Sequence, residues 1–226
     1  MEAFLDNIVW HSLSGEHSRF ASGPGHARRY ARGLPALAGF AEPSRPDFEA
    51  LRPHVTPGEQ FYCCDWAGTA PPGWAIEADT SCDQYVWDAP MPEADAAPEA
   101  TRLDERHVEQ MVALAALTKP GPFGPRNAEL GEYYGLFDGD RLVAMAGERM
   151  QAGRLREVSA VCTHPDYQGR GFARRLTDKI VRLQMARGQV PFLHAMHANE
   201  VARKLYARMG FRHRREVVLR VVARST

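Results

Sequence analysis

The stretch Val161-Cys162-Thr163-His164-Pro165-Asp166-Tyr167-Gln168-Gly169-Arg170-Gly171-Phe172-Ala173 begins as a strand former, passes two glycines and continues as a helix former. Such a junction suits an anion. Glycines let the backbone approach a ligand, successive N–H groups point outward, and the helix start adds the positive end of its dipole. A dinucleotide fingerprint would need glycine at 174, where Arg174 stands, and a P-loop would need Gly-Lys-Ser/Thr. Neither is present.

Proton chemistry has its own candidates. In Asn199-Glu200-Val201-Ala202-Arg203-Lys204-Leu205-Tyr206-Ala207-Arg208-Met209-Gly210-Phe211, Asn199 can cap a helix and Gly210 can end it. Tyr206 shares a helix face with Ala202 and Met209, so taken alone it reads as a core aromatic. Glu157 lies on the strand leading to the glycine turn and Glu148 on the strand before it; either can serve as a base or pair with Arg149, Arg154 or Arg156. Cys162 reads as a small packed thiol. Cys63, Cys64 and Cys82 form no CxxC pair and read as reduced thiols, and His194 and His197 lack the further ligands of a metal site.

The two segments together resemble the paired signatures of the GNAT acetyltransferase superfamily. Gln168-x-x-Gly171-x-Ala173 is similar to its pyrophosphate loop, and Asn199 to Phe211 to its second motif, an Asn-capped helix carrying a Tyr and ending in Gly-Phe. The resemblance covers about residues 101–226. It implies an α/β (α+β) GNAT fold, a mixed central sheet flanked by helices, with residues 99–226 as the acetyltransferase domain. It implies acetyl-CoA as donor, no metal, and direct attack by a primary amine. The backbone of Val161, Cys162 and Thr163 would take the pantetheine arm, and Gln168, Gly169, Arg170, Gly171, Phe172 and Ala173 the pyrophosphate. Asn199 and Tyr206 would complete the cofactor site. Tyr206 matches the family's acid; Glu157, eleven positions before Gln168, matches the base of histone-acetylating relatives, and Glu148 is the second candidate. Alternatives are an inactive acyl-CoA-binding sensor or assembly module, or transfer of another acyl group.

Several elements must position these residues. A strand is expected over Arg156–Thr163, a helix over Gly171–Arg187, a strand over Val190–Met196 and a closing strand over Val217–Val222. Upstream, Tyr133–Phe137 and Arg141–Met150 form a hairpin about Asp138-Gly139-Asp140. Thr101 is expected to cap a helix with Leu103, Val108, Met111, Val112, Ala115 and Leu117 on its apolar stripe, ended by Pro120. Ala89–Ala100, rich in Pro, Ala and acid, is the expected boundary after an N-terminal α+β lobe, residues 1–98, which in some relatives resembles a degenerate copy of the same fold. In that lobe a short helix follows Pro46, and Gln60–Trp66 and Trp74–Trp87 read as strands.

The 226 residues balance 28 Lys and Arg against 28 Asp and Glu. Zero net charge argues against nucleic acid or acidic lipid as a partner. The distribution is uneven. Residues 1–150 hold 12 basic and 23 acidic residues, and residues 151–226 hold 16 and 5. Two readings follow, oppositely charged surfaces that pack together or a polyanionic ligand on the C-terminal part. The acidic excess favours a cationic small-molecule or peptide amine as acceptor. The short apolar runs and the unmarked N-terminus predict a cytoplasmic protein with no membrane association. A homodimer through the final strands is a further expectation.

Overall fold

The computed structural model describes residues 2–225. After a 3-10 segment at Glu2–Asn7 come α1 (Ile8–Ser14), β1 (Ala21–Ser22), β2 (Ala27–Tyr30), β3 (Leu37–Phe40), α2 (Phe48–Leu51), β4 (Gln60–Cys64) and β5 (Trp74–Trp87). The chain continues through β6 (Thr101–Leu103), α3 (Val108–Thr118), β7 (Tyr133–Asp138), β8 (Arg141–Ala152), β9 (Leu155–Thr163) and α4 (Phe172–Ala186). It closes with β10 (Val190–Met196), α5 (Glu200–Met209) and β11 (Phe211–Arg224).

All eleven strands join one mixed sheet in the order β1-β2-β3-β4-β11-β5-β10-β9-β8-β7-β6. The β3/β4 and β10/β9 pairs are parallel, the others antiparallel. Residues of β8 alternate between two covered faces. Ala144 and Ala146 pack with Leu176 and Ile180 of α4, while Met145 packs with Met111 and Leu114 of α3. Each fully buried Leu or Ile on these stripes contributes about 1.5–3 kcal/mol. The helix α1 touches both β3 and β8, which stand six places apart in the sheet. A flat sheet would separate them by about 29 Å at roughly 4.8 Å per strand, beyond the reach of one helix. The sheet therefore curls around α1 and the 3-10 segment before it, whose Leu5, Ile8 and Leu13 meet Met150, Leu155 and Phe192.

Four local expectations are revised. Thr101 lies in β6; the helical turn after it is capped by Asp104, whose carboxylate accepts from Arg106 N at 3.0 Å, and Leu103 stays in the strand. Ala89–Ala100 is no free linker, because Ala97 is fully buried and Lys179 of α4 binds Asp95 at 2.5 Å. The sheet does not divide at 98/99, since β5 is seated between β10 and β11. The last strand is longer than expected and is paired on both sides over Leu219–Ala223, so that stretch offers no edge to a second copy.

The charge asymmetry resolves largely into packing. Lys179, Arg203, Arg214, Arg215 and Arg220 each pair with a carboxylate from the first half: Asp95, Asp83, Asp6, Asp65 and Asp79. Arg170, at the glycine turn, has no carboxylate partner among the described residues and lies over the Tyr167 ring at 4.7 Å.

Candidate active site

Strands β9 and β10 run side by side only from Val190↔Leu155 to Phe192↔Glu157. Beyond that pair they separate. The β10 edge of Val158–Thr163 has no strand partner, which leaves a cleft in the middle of the sheet. A bulge accompanies the separation: Ala160 adopts φ 52, and the β8/β9 register shifts between Gly147↔Ser159 and Met145↔Cys162. Such a bulge bends a strand and breaks its pairing locally.

The glycine turn closes the outer end of this cleft. Gly169 and Gly171 both sit at φ 77, with open space where a Cβ would project. The backbone N–H groups of Gly169, Arg170 and Gly171 have no acceptor among the described residues. Phe172, Ala173 and Arg174 follow as the first turn of α4, whose N–H groups lack intrahelical partners. Several amides thus converge on solvent at the positive end of a 15-residue helix, an arrangement that fits a diphosphate. Gln168, just before the turn, is extended, at φ −62 and ψ 160.

At the inner end a cavity of about 110 Å³ is lined by Glu157, Ser159, Ala160, Val161, Asn199 and Tyr206, among others. The α5 helix enters it as its ends dictate: the Asn199 side chain accepts from Ala202 N at 3.1 Å, and Gly210 terminates the helix at φ 110. Tyr206 is buried, and its hydroxyl has no hydrogen-bond partner among the described residues. Burial, with Cys162 adding to it, raises its pKa well above the usual phenol value, so the group stays protonated. Cys162 and Thr163 do not line this cavity. Burial pushes the Cys162 thiol up to about 11, which leaves it a packed, protonated group against α3.

The carboxylates are not placed as free bases. Glu157 is fully buried and accepts from Arg149 Nε and Nη2 at 2.7 Å each and from Met150 N at 3.3 Å, with His194 Nδ1 2.8 Å away. Two carboxylate oxygens offer about four lone-pair sites, and all are used. Despite its desolvation, the Arg149 charge holds Glu157 down to about 2. Glu148 lines neither this cavity nor its neighbour; it binds Glu132 N, Arg156, Gln184 and Arg187, and Arg156 is the largest cause of its lowered pKa. Both candidate carboxylates are thus held in hydrogen-bonded ion pairs with arginine in this structure.

A second cavity, of about 80 Å³, adjoins the first and shares Pro120, Arg149, His194 and Met196 with it. Its other walls include Val9, Leu37, Tyr62, Cys64 and Leu219, so the N-terminal half and the last strand form it together. The sequence motifs miss these residues, and His194 reads there only as a histidine without a metal site. A signal is nonetheless present: Gln84, Arg149 and His194 are polar residues on the buried stretches of their strands, and such groups require partners. The acidic excess of residues 1–150 does not reach this cavity, whose lining holds no carboxylate.

The FR47-like protein family model matches residues 133–221, from β7 into β11. Over 120 residues, 49% of this chain, the sequence is 35% identical to the N-alpha-acetyltransferase RimI of Mycobacterium tuberculosis and covers 74% of it. A crystal structure of an acetyltransferase from the GNAT family of Novosphingobium aromaticivorans matches with TM-score 0.88 and 35% identity, over 98% of this chain and 99% of that one. A GCN5-related N-acetyltransferase from Kribbella flavida shares the fold, at TM-score 0.62, 16% identity and coverages of 96% and 95%. The chain belongs to the GNAT family of acetyltransferases. Among the described residues no helix is long and apolar enough to cross a membrane, and no cluster of three or more His, Cys, Asp or Glu could hold a metal ion.

Proposed function

We propose that the protein transfers the acetyl group of acetyl-CoA to a primary amine by direct attack. One observation carries the reading: the cleft past Phe192↔Glu157 has unpartnered backbone amides at its outer end and a lone buried phenol at its inner end. The residues fit the donor. Val161, Cys162 and Thr163 offer an unpaired strand edge to the pantetheine arm, and Gly169 to Ala173 offer amides to the diphosphate. The thioester supplies the activated acyl carbon.

The amine nitrogen attacks that carbon, a C–N bond forms and the C–S bond breaks. Tyr206 gives its proton to the departing thiolate and is reprotonated from water. The proton lost by nitrogen passes to water, since neither glutamate has a lone pair to take it. Calorimetry with acetyl-CoA and with free coenzyme A tests the donor site, and absence of association with both would refute the proposal. Thiol release across an amine panel tests transfer. In the Tyr206→Phe variant kcat should fall about 10²-fold with little change in KM; an unchanged kcat removes Tyr206 from the mechanism.

A further inference from the structure

The cavity of about 80 Å³ lies on the side of the sheet that α1 covers, and residues distant in the chain enclose it. Val9 of α1, Leu37 of β3, Cys64 of β4, Cys82 of β5, Met150 of β8 and Leu219 of β11 all reach it. Its polar side chains are few. Arg149 and His194 stand at the boundary with the Tyr206 cavity, and the Tyr62 ring brings a hydroxyl. Burial pushes the Cys82 thiol up to about 12 and raises the Cys64 thiol well above its usual value, so both stay protonated and pack as small apolar groups.

The boundary favours one kind of group over another. His194 Nδ1 lies 2.8 Å from Glu157 Oε1 and its Nε2 lies 3.1 Å from Gln84 Nε2, so neither ring nitrogen is free. Glu157 takes two N–H groups of Arg149, and the pair presents no net charge. Arg149 Nη1 has no partner among the described residues, and it can only donate. That suits the oxygen of a thioester and not an ammonium. An amine entering the cavity gives up water and finds neither a carboxylate nor an imidazole lone pair to replace it, whereas an alkyl chain loses no hydrogen bond and takes apolar surface out of water. The amine has its own approach, because the Tyr206 cavity meets solvent at the exposed residues Lys119 and Asn199.

The donor runs toward the same boundary. A pantetheine arm laid along Thr163 to Val161 from the glycine turn brings its sulfur to Tyr206, and the acyl group follows toward the closed end at Phe192↔Glu157. Beside that end the second cavity opens, across Pro120, Arg149, His194 and Met196. An apolar cavity of about 150 Å³ takes a benzene ring, so one of about 80 Å³ takes roughly three carbons. We propose that this cavity is an acyl pocket, and that the donor site takes uncharged acyl groups of about three or four carbons as well as acetyl, with the carbonyl carbon in the Tyr206 cavity and the alkyl carbons beyond the boundary. This rests on the acetyl-transfer reading and extends its donor. The bonds exchanged are the same: the amine nitrogen forms a C–N bond to the acyl carbon, the C–S bond breaks, Tyr206 protonates the thiolate and the proton on nitrogen passes to water. A carboxylate at the far end of the chain would be stranded between apolar walls, so a succinyl group, equal in length to butyryl, is excluded.

The test is calorimetric titration of the purified protein with free coenzyme A and with its acetyl, propionyl, butyryl, hexanoyl and succinyl thioesters. Affinity should rise about fourfold for each methylene from acetyl to butyryl and gain nothing further at hexanoyl. From butyryl to succinyl it should fall about tenfold or more. Equal affinities for the acetyl and butyryl thioesters, or a succinyl thioester bound as tightly as the butyryl one, would overturn the proposal. Cys64→Leu, which fills the cavity, should bring the butyryl-to-acetyl affinity ratio to about one, and Leu219→Ala, which enlarges it, should move the preferred chain to hexanoyl, with folding checked by thermal melting. An unchanged ratio in folded Cys64→Leu would also overturn it. The chain-length series in the parent protein decides the matter even if neither variant folds. Association with neither the thioesters nor the free coenzyme would overturn the donor reading itself; association that ignores chain length would overturn only this inference.

Discussion

At the residue scale, Glu157 is occupied holding the site together. Breaking one side of a buried ion pair costs about 3–5 kcal/mol, because the other charge is left desolvated and alone. Glu157→Gln should therefore destabilise the protein by several kcal/mol at neutral pH, read by urea unfolding. Its pH dependence has a definite sign. A carboxyl depressed to about 2 in the folded state contributes stability that is fully present above its ordinary value near ~4.3 and is lost as pH falls toward about 2. Thermal melts between pH 5 and pH 2.5 should fall more steeply for the parent than for Glu157→Gln; parallel slopes would show that this carboxylate does not drive acid unfolding.

At the element scale, the glycine turn and the α5 caps are devices whose cost and purpose separate. Gly171 sits in the left-handed region, and nothing lies within 4 Å of the position that a Cβ would take. Gly171→Ala therefore carries only a backbone penalty of about 1 kcal/mol. The new methyl stands in the space assigned to the diphosphate. A shift of a few degrees in melting temperature with at least a tenfold weaker coenzyme A affinity is expected, and unchanged affinity would count against the turn as the anion site. Asn199→Ala removes an N-cap and should cost about 1 kcal/mol of stability. Tyr206 kinetics in that variant report whether the cap also aims the phenol.

At the scale of the whole molecule, the N-terminal half shares one sheet with the C-terminal half. Its β5 pairs with β10 through Phe192↔Val86 to Met196↔Cys82 and with β11 from Phe211↔Trp87 to Arg224↔Trp74. Residues 99–226 expressed alone would expose both of those edges together with the apolar face that α1 covers. That fragment should fail to show cooperative unfolding by circular dichroism and should aggregate. A fragment with a sharp melt and dispersed amide resonances would mean that the C-terminal part is an independent domain.

The linear chain determined the features whose physics is local. The strand, glycine turn and helix over residues 156–187, the Asn199 cap and the Gly210 stop follow from backbone preferences and side-chain to backbone bonds spanning a few residues. So did the apolar stripe of Leu176 and Ile180, because helical periodicity is visible in one segment. Strand order was not legible. Whether β5 pairs within its own half or enters between β10 and β11 depends on hydrogen bonds between residues more than a hundred positions apart, and a strand's sequence does not name its neighbour. The state of each polar group was equally hidden. Glu157 has a base's residue type and spacing, yet the tertiary structure surrounds it with Arg149, His194 and a backbone amide, and a carboxylate's chemistry is set by how many of its lone pairs remain free.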